Sequence, residues 1–149
     1  MTQYPLTIEL VPKTAWYTNV RSNVSKEEWD RIRKKCYQNA GYVCEICGDT
    51  GLNQHHKHPV ECHEIWQYDD HNHVQKLTGL IALCPNCHAV KHPGLAQMKG
   101  KLDIVIRQLQ KVNSMTFEEA TEYLQHSFLI WNVRSQHQWT LDIEYLRTY

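Results

Sequence analysis

The 149-residue chain carries no excess charge of either sign: sixteen Lys and Arg balance sixteen Asp and Glu. A net positive charge, the simplest electrostatic signature of a nucleic-acid binder, is therefore missing, although a local basic face is compatible with this balance. No apolar run approaches the ~20 residues needed to span a bilayer, so a membrane protein is not expected. The start of the chain, Met1-Thr2-Gln3-Tyr4-Pro5, has neither the basic stretch nor the apolar core of a secretory signal, and a cytoplasmic location is the expectation. There is no internal repeat and no low-complexity segment. With 42% apolar and 21% charged residues the composition is that of an ordinary folded protein. The length suits one compact domain.

What the chain does have is six cysteines and ten histidines. In a reducing compartment cysteines at this density point to metal binding rather than disulfides. Cys44-Glu45-Ile46-Cys47-Gly48 and Cys84-Pro85-Asn86-Cys87 are two Cys-x-x-Cys knuckles. Four thiolates from such a pair close a tetrahedral zinc site with a structural role. An iron–sulfur centre competes, and a redox dithiol needs only one of the two knuckles. Cys36 and Cys62 remain, and read as small buried hydrophobes. The charges are unevenly spread: Lys91, Lys99 and Lys101 follow the second knuckle, and Lys26 to Lys35 holds a second basic group, while acids gather near Glu61, Glu64, Asp69 and Asp70.

The elements follow from periodicity. Leu6 to Leu10 alternates apolar and polar and predicts a half-buried strand closed by Pro12. Thr14 to Asn23 is an aromatic clasp. Ser25 with Glu28 predicts a capping box opening a helix whose stripe is Trp29, Ile32, Cys36 and Tyr37, ending at Gly41. Residues 49–59 read as loop, Pro59 to Trp66 as a strand, and Val74 to Leu83 as its hairpin partner. A short helix over Pro85 to His92 follows, stopped by Pro93-Gly94. Leu102 to Val112 and Phe117 to Trp131 predict two further helices, the second opened by a Thr116–Glu119 capping box. Gln138 to Ile143 fits a strand or a final short helix. The expected organisation is a single α+β domain over 1–149: an N-terminal strand and clasp (1–24), a zinc-stapled ββα core (25–100) and a helical extension (101–149).

His88 and His92, at i and i+4, share one helical face and are spare once the thiolates close the zinc site. With His63 near the end of the first strand, they could serve a second metal ion beside a water-activating group.

The stretch Cys44-x-x-Cys47, then Val60-Glu61-Cys62-His63-Glu64-Ile65, then Leu80-Ile81-Ala82-Leu83-Cys84-Pro85-Asn86-Cys87-His88-Ala89-Val90-Lys91-His92, resembles the HNH endonuclease superfamily in its four-cysteine zinc form. More narrowly it is similar to small bacterial and phage HNH-like proteins, sharing His63-Glu64-Ile65-Trp66-Gln67-Tyr68-Asp69 and the ending Trp139-Thr140-Leu141-Asp142. The resemblance runs from about Trp16 to Leu146. It implies a ββα-metal, treble-clef-like fold and a metal-dependent endonuclease hydrolysing DNA phosphodiesters, with a structural zinc and a catalytic Mg2+, Mn2+ or Zn2+.

It also implies roles. In one register His63 is the general base, His88 and His92 hold the catalytic metal, and Cys62 takes a ligand place. In a second, His63 is a ligand and Glu64 the base. A third uses the His55-His56 pair, His55 as ligand and His56 as base. The superfamily's central Asn falls on Gly79. Lys91, Lys99 and Lys101 are candidate DNA contacts. A zinc-stapled module that binds nucleic acid, a protein partner or a second copy without cutting is the competing expectation.

Overall fold

A computed structural model describes residues 4–149; the first three residues of the expected N-terminal segment lie outside it. The chain is mixed α+β. Its centre is a hairpin of β1 (Glu61–Asp69) and β2 (Val74–Leu83), with a three-residue β3 (Thr140–Asp142) added in parallel beside the start of β2. The order β1-β2-β3 leaves one edge of β1 free. Asp69 makes the hairpin turn by accepting the His71 and Asn72 N–H groups on one carboxylate oxygen, each at 3.0 Å. Ile65 pairs with Gly79 but Trp66 pairs with Leu77, so Thr78 is the extra residue of a bulge and Gly79 stands beside it.

Both faces of the hairpin are covered. On one side Leu83, Cys84 and the short helix α3 (Pro85–Lys91) pack with α5 (Leu102–Asn113) and α6 (Phe117–Arg134) around Val90, Val105, Leu109, Ala120 and Leu124. On the other, Trp66 and Leu77 meet Val20 of the one-turn α1 (Val20–Asn23), Ile32 of α2 (Lys26–Asn39) and the C-terminal residues Leu141, Ile143 and Leu146. Cys36, Val60 and Ala82 extend that second core. Coverage on both sides is why β2 stops alternating after Gly79 and ends in the buried pair Ala82-Leu83.

The helix signals act as local chemistry dictates. Thr116 and Glu119 form a complete capping box. Ser25 accepts the Glu28 N–H at 3.1 Å, but the Glu28 carboxylate turns to Arg31 instead of back to the cap, so that box is half made. Pro93 ends α3 as expected and also begins α4 (Pro93–Met98), since a residue without an N–H fits the first helical position. Phe117, the apolar first residue of α6, is 59% exposed. Gln138 to Ile143 resolves as the short β3, followed by a 3-10 turn over Glu144–Thr148.

Leu6 to Leu10 is not a strand. The segment is extended, but its backbone partners are side chains of the helical layer: Asn113 accepts the Leu6 N–H at 2.9 Å and donates to the Leu6 carbonyl at 2.7 Å, and the Tyr123 hydroxyl accepts the Ile8 N–H at 3.0 Å. An alternating pattern reports a half-buried extended chain, and here helices rather than a neighbouring strand bury it. Among the described residues no helix is long and apolar enough to cross a membrane.

Candidate metal centres

Two ligand clusters flank α3. In the first, Cys44, Cys47, Cys84 and Cys87 bring their Sγ atoms within 4.8 Å of one another. The knuckle conformations explain how. Gly48 sits at φ +78°, which lets its N–H reach back to the Cys44 carbonyl at 2.9 Å. The Cys47 N–H points at Cys44 Sγ (3.5 Å), and the Cys87 N–H at Cys84 Sγ (3.4 Å). Cys84 is thereby the N-cap of α3, so one residue ends a strand, starts a helix and offers a ligand. Gln108 of α5 donates to Cys87 Sγ at 3.2 Å. Hydrogen bonds from Cys84 and Cys87 draw the Cys44 thiol far below its usual range, while burial pushes Cys47 up to about 11. Four crowded thiols trading protons in this way are compatible with a structural zinc on all four.

In the second cluster His63, His88 and His92 each offer a ring nitrogen, again within 4.8 Å of one another. The ring centroids form a near-equilateral triangle with sides of 5.3, 5.4 and 4.8 Å. His88 and His92 are adjacent on one face of α3 and its end, and their Nε2 atoms stand 3.2 Å apart. His63 reaches them from β1, where it pairs with Ile81. Burial first, then the neighbouring histidines, lowers His63 to about 2 and His92 to about 4, so both rings are held neutral with a lone pair free. Three convergent neutral imidazoles are a donor set suited to a divalent transition metal.

Glu61 completes this cluster and escaped the sequence reading, which saw it only as one acid in a group. Its carboxylate is bonded to His88 Nδ1, and that contact holds Glu61 below the usual carboxylate range. An Nδ1–H donated to Glu61 leaves Nε2 as the unprotonated, metal-facing nitrogen, the arrangement that raises ligand basicity and fixes ring orientation. The signal was available: Glu61 lies two residues before His63 in an extended segment and so shares its face. Replacing Glu61 with Gln is expected to weaken metal binding at the histidines about 10–100-fold. A cobalt titration should show this, with the spectrum of the four-thiolate site unchanged; unaltered histidine-site affinity would remove Glu61 from the centre.

The structure separates the three registers. Cys62 points to the opposite face of β1, toward Cys36, and is not with the histidines. His55 and His56 are exposed on the loop, His55 with φ +63°, outside the trio. His63 is the strand residue that meets α3. Glu64, on the face opposite His63, accepts the Val20 N–H at 3.2 Å, and burial raises it to about 7. A Cβ on Gly79 would meet Ile65 at 3.4 Å, so a side chain there would lie over Ile65.

Lys91 needs correction as a DNA contact. It is 6% exposed, and its ammonium donates to the Thr7 carbonyl (2.6 Å), the Thr7 hydroxyl (3.1 Å) and Glu9 (3.0 Å). It pins the N-terminal segment to α3, because the same helical turn that exposes His88 to the trio turns Lys91 inward. Lys99 and Lys101 are exposed.

A cleft of about 730 Å³ opens beside the trio along the free edge of β1. His63, Glu64, His88 and His92 line it together with the aromatic clasp, α4 and the C-terminal half of α6. Comparison with models of known protein families, with characterised proteins and with solved structures returns no match.

Proposed function

We propose that this chain is a metal-dependent endonuclease of the HNH, ββα-metal kind, acting on DNA phosphodiesters and stapled by a zinc on Cys44, Cys47, Cys84 and Cys87. The observation that carries this reading is the convergence of His63, His88 and His92, with Glu61 behind His88, at the mouth of an open cleft. The fold around it supports the assignment: β1 and α3 deliver the three rings, and the thiolate cluster fixes α3 to the end of β2, the partner strand of β1.

In this reading His63, His88 and His92 hold a divalent cation, which when bound stabilises charge on the phosphoryl and leaving oxygens. Glu61 keeps His88 in the ligating tautomer. With His63 committed to the metal, Glu64, which lines the same cleft from the other face of β1, is the carboxylate left to take a proton from the attacking water, and its burial suits a base working near neutrality. Lys99 and Lys101 supply exposed positive charge on the segment after α4.

Supercoiled plasmid incubated with the zinc-loaded protein and Mg2+ or Mn2+ should be nicked. Glu64→Gln should slow nicking about 10²–10⁴-fold while leaving metal affinity at the histidines intact. Absence of nicking and of single-strand cleavage with every divalent cation tried would sink the reading. That outcome would favour the second reading, a zinc-stapled module that binds DNA or a protein partner without cutting. The bond from Val20 N–H to Glu64 is the observation on its side, because it gives that carboxylate a purely structural use.

A further inference from the structure

The cleft is larger and more aromatic than a phosphate needs. Its outer wall carries Trp16 and Trp131, stacked with centroids 6.3 Å apart at 25°. Both indole N–H groups donate to the same acceptor, the Val11 carbonyl, each at 3.0 Å. That shared anchor fixes two ring planes in place, yet Trp16 remains 51% exposed. A half-exposed indole whose polar atom is already satisfied and whose plane is already set is a pre-organised stacking surface.

Deeper in the same cleft stands Gln75, 1% exposed. Its Nε2 and the hydroxyl of Tyr68, its partner across the hairpin, face each other, and neither makes a hydrogen bond of ordinary geometry among the described residues. Its Oε1 is only loosely met by the Thr18 hydroxyl at 3.5 Å. Buried amides are ordinarily well paired, and one met this loosely at a cavity wall marks a place where a better polar partner is to come. A primary amide presents a donor and an acceptor side by side, which matches the edge of a nucleobase. Arg21, exposed at the rim, offers the positive charge a strand backbone requires. An aliphatic ligand would leave the Gln75 amide as loosely met as it is, whereas a flat heterocycle can use both the stacking wall and the amide. The volume, about 730 Å³, is in the range that encloses a ligand of nucleotide size.

We propose that this cleft receives an unstacked nucleobase, stacked at Trp16 and read on its edge by Gln75, so that the substrate strand is single-stranded or locally opened DNA. This rests on the nuclease reading for the placement of the adjacent phosphate at the histidines. Base pairing and stacking in an intact duplex keep a base out of such a pocket, and enzymes that engage one must work on single strands or extrude it.

The test is equilibrium binding of the zinc-loaded protein, with no magnesium or manganese, to fluorescent oligonucleotides. Thymidine, cytidine and adenosine homopolymers are compared with a duplex of the same length and with single strands carrying abasic sites. The expected result is a preference of about tenfold for single strands over duplex, with a similar loss on abasic substitution. Trp16→Ala should abolish that preference and Trp16→Phe should restore most of it. Gln75→Leu should alter the ranking among the three bases. Circular dichroism and zinc content certify that each variant is folded.

Equal affinity for duplex and single strand, no binding to either, or abasic strands bound as well as intact ones by a folded protein would overturn the proposal. Because no cleavage is measured, the two readings fail separately. A protein that never cuts but shows the Trp16-dependent preference keeps the pocket and loses the nuclease. One that binds duplex and single strand alike, yet nicks plasmid in the separate assay above, keeps the nuclease and loses the pocket.

Discussion

Removing the metal from the four-cysteine site is expected to abolish the cooperative fold. The purified protein should carry one zinc per chain on Cys44, Cys47, Cys84 and Cys87, and Cys84→Ser or a strong chelator should eliminate the thermal transition. The magnitudes decide this. A structural zinc site contributes an apparent ~10–16 kcal/mol at neutral pH, whereas a domain of ordinary size is stable by only about 5–15 kcal/mol in total. The position of the cluster matters as much as its strength. Cys44, Cys84 and Cys87 are themselves part of the larger core with Val90, Val105 and Leu109, so losing the metal also frees the packing between β2, α3 and α5. Without a cation, the thiols must share protons within 4.8 Å of one another in a buried place. Acidification should act in the same direction, since protons compete for the thiolates. A zinc-release assay with a chromogenic chelator, run beside far-UV circular dichroism, would check this. A chelated protein that melts like the untreated one would show that the cysteines are not a staple.

The second large effect is expected at His63. His63→Ala should reduce plasmid nicking on the order of a thousandfold, in line with several kcal/mol of charge stabilisation lost with the metal. The more informative readout is where the loss falls. As a ligand, His63 should behave like His88 and His92: each alanine variant should weaken binding of manganese or cobalt at the second site, and excess metal should return part of the activity. As a general base, it would leave metal affinity intact and no excess of metal would help. Its ring centroid lies 5.3 and 5.4 Å from those of His88 and His92, nearly their own 4.8 Å spacing, which favours the ligand role. Wild-type metal affinity in His63→Ala would return the base to His63 and release Glu64 from that duty.

Much of this arrangement was legible in the residues. Cys44-x-x-Cys47 and Cys84-x-x-Cys87 describe a thiolate cluster because two intervening residues fix a knuckle turn, whatever lies around it. His88 and His92 share a face because a helix repeats every 3.6 residues. The Thr116–Glu119 box and the two C-terminal helices are equally local. Lys91 failed as a surface cation although its helix was foreseen, because a helix's outline does not say which side meets the core. Leu6 to Leu10 failed as a strand because alternation carries no information about the partner.

Sequence alone therefore determined the groupings whose spacing is set within one turn or one helix: the four cysteines and the pair His88 and His92. Tertiary structure decided which strand residue joins that pair. Neighbours in a strand point to opposite faces, so a single step in the chain separates His63 from Cys62 and Glu64, which share the other face. The hairpin register sends His63 and Glu61 to α3, turns Cys62 to Cys36 and Glu64 to Val20, and the fold of the aromatic clasp over the free edge of β1 makes the cleft. None of those choices is encoded by the spacing of adjacent residues, because each depends on which distant segment covers which face.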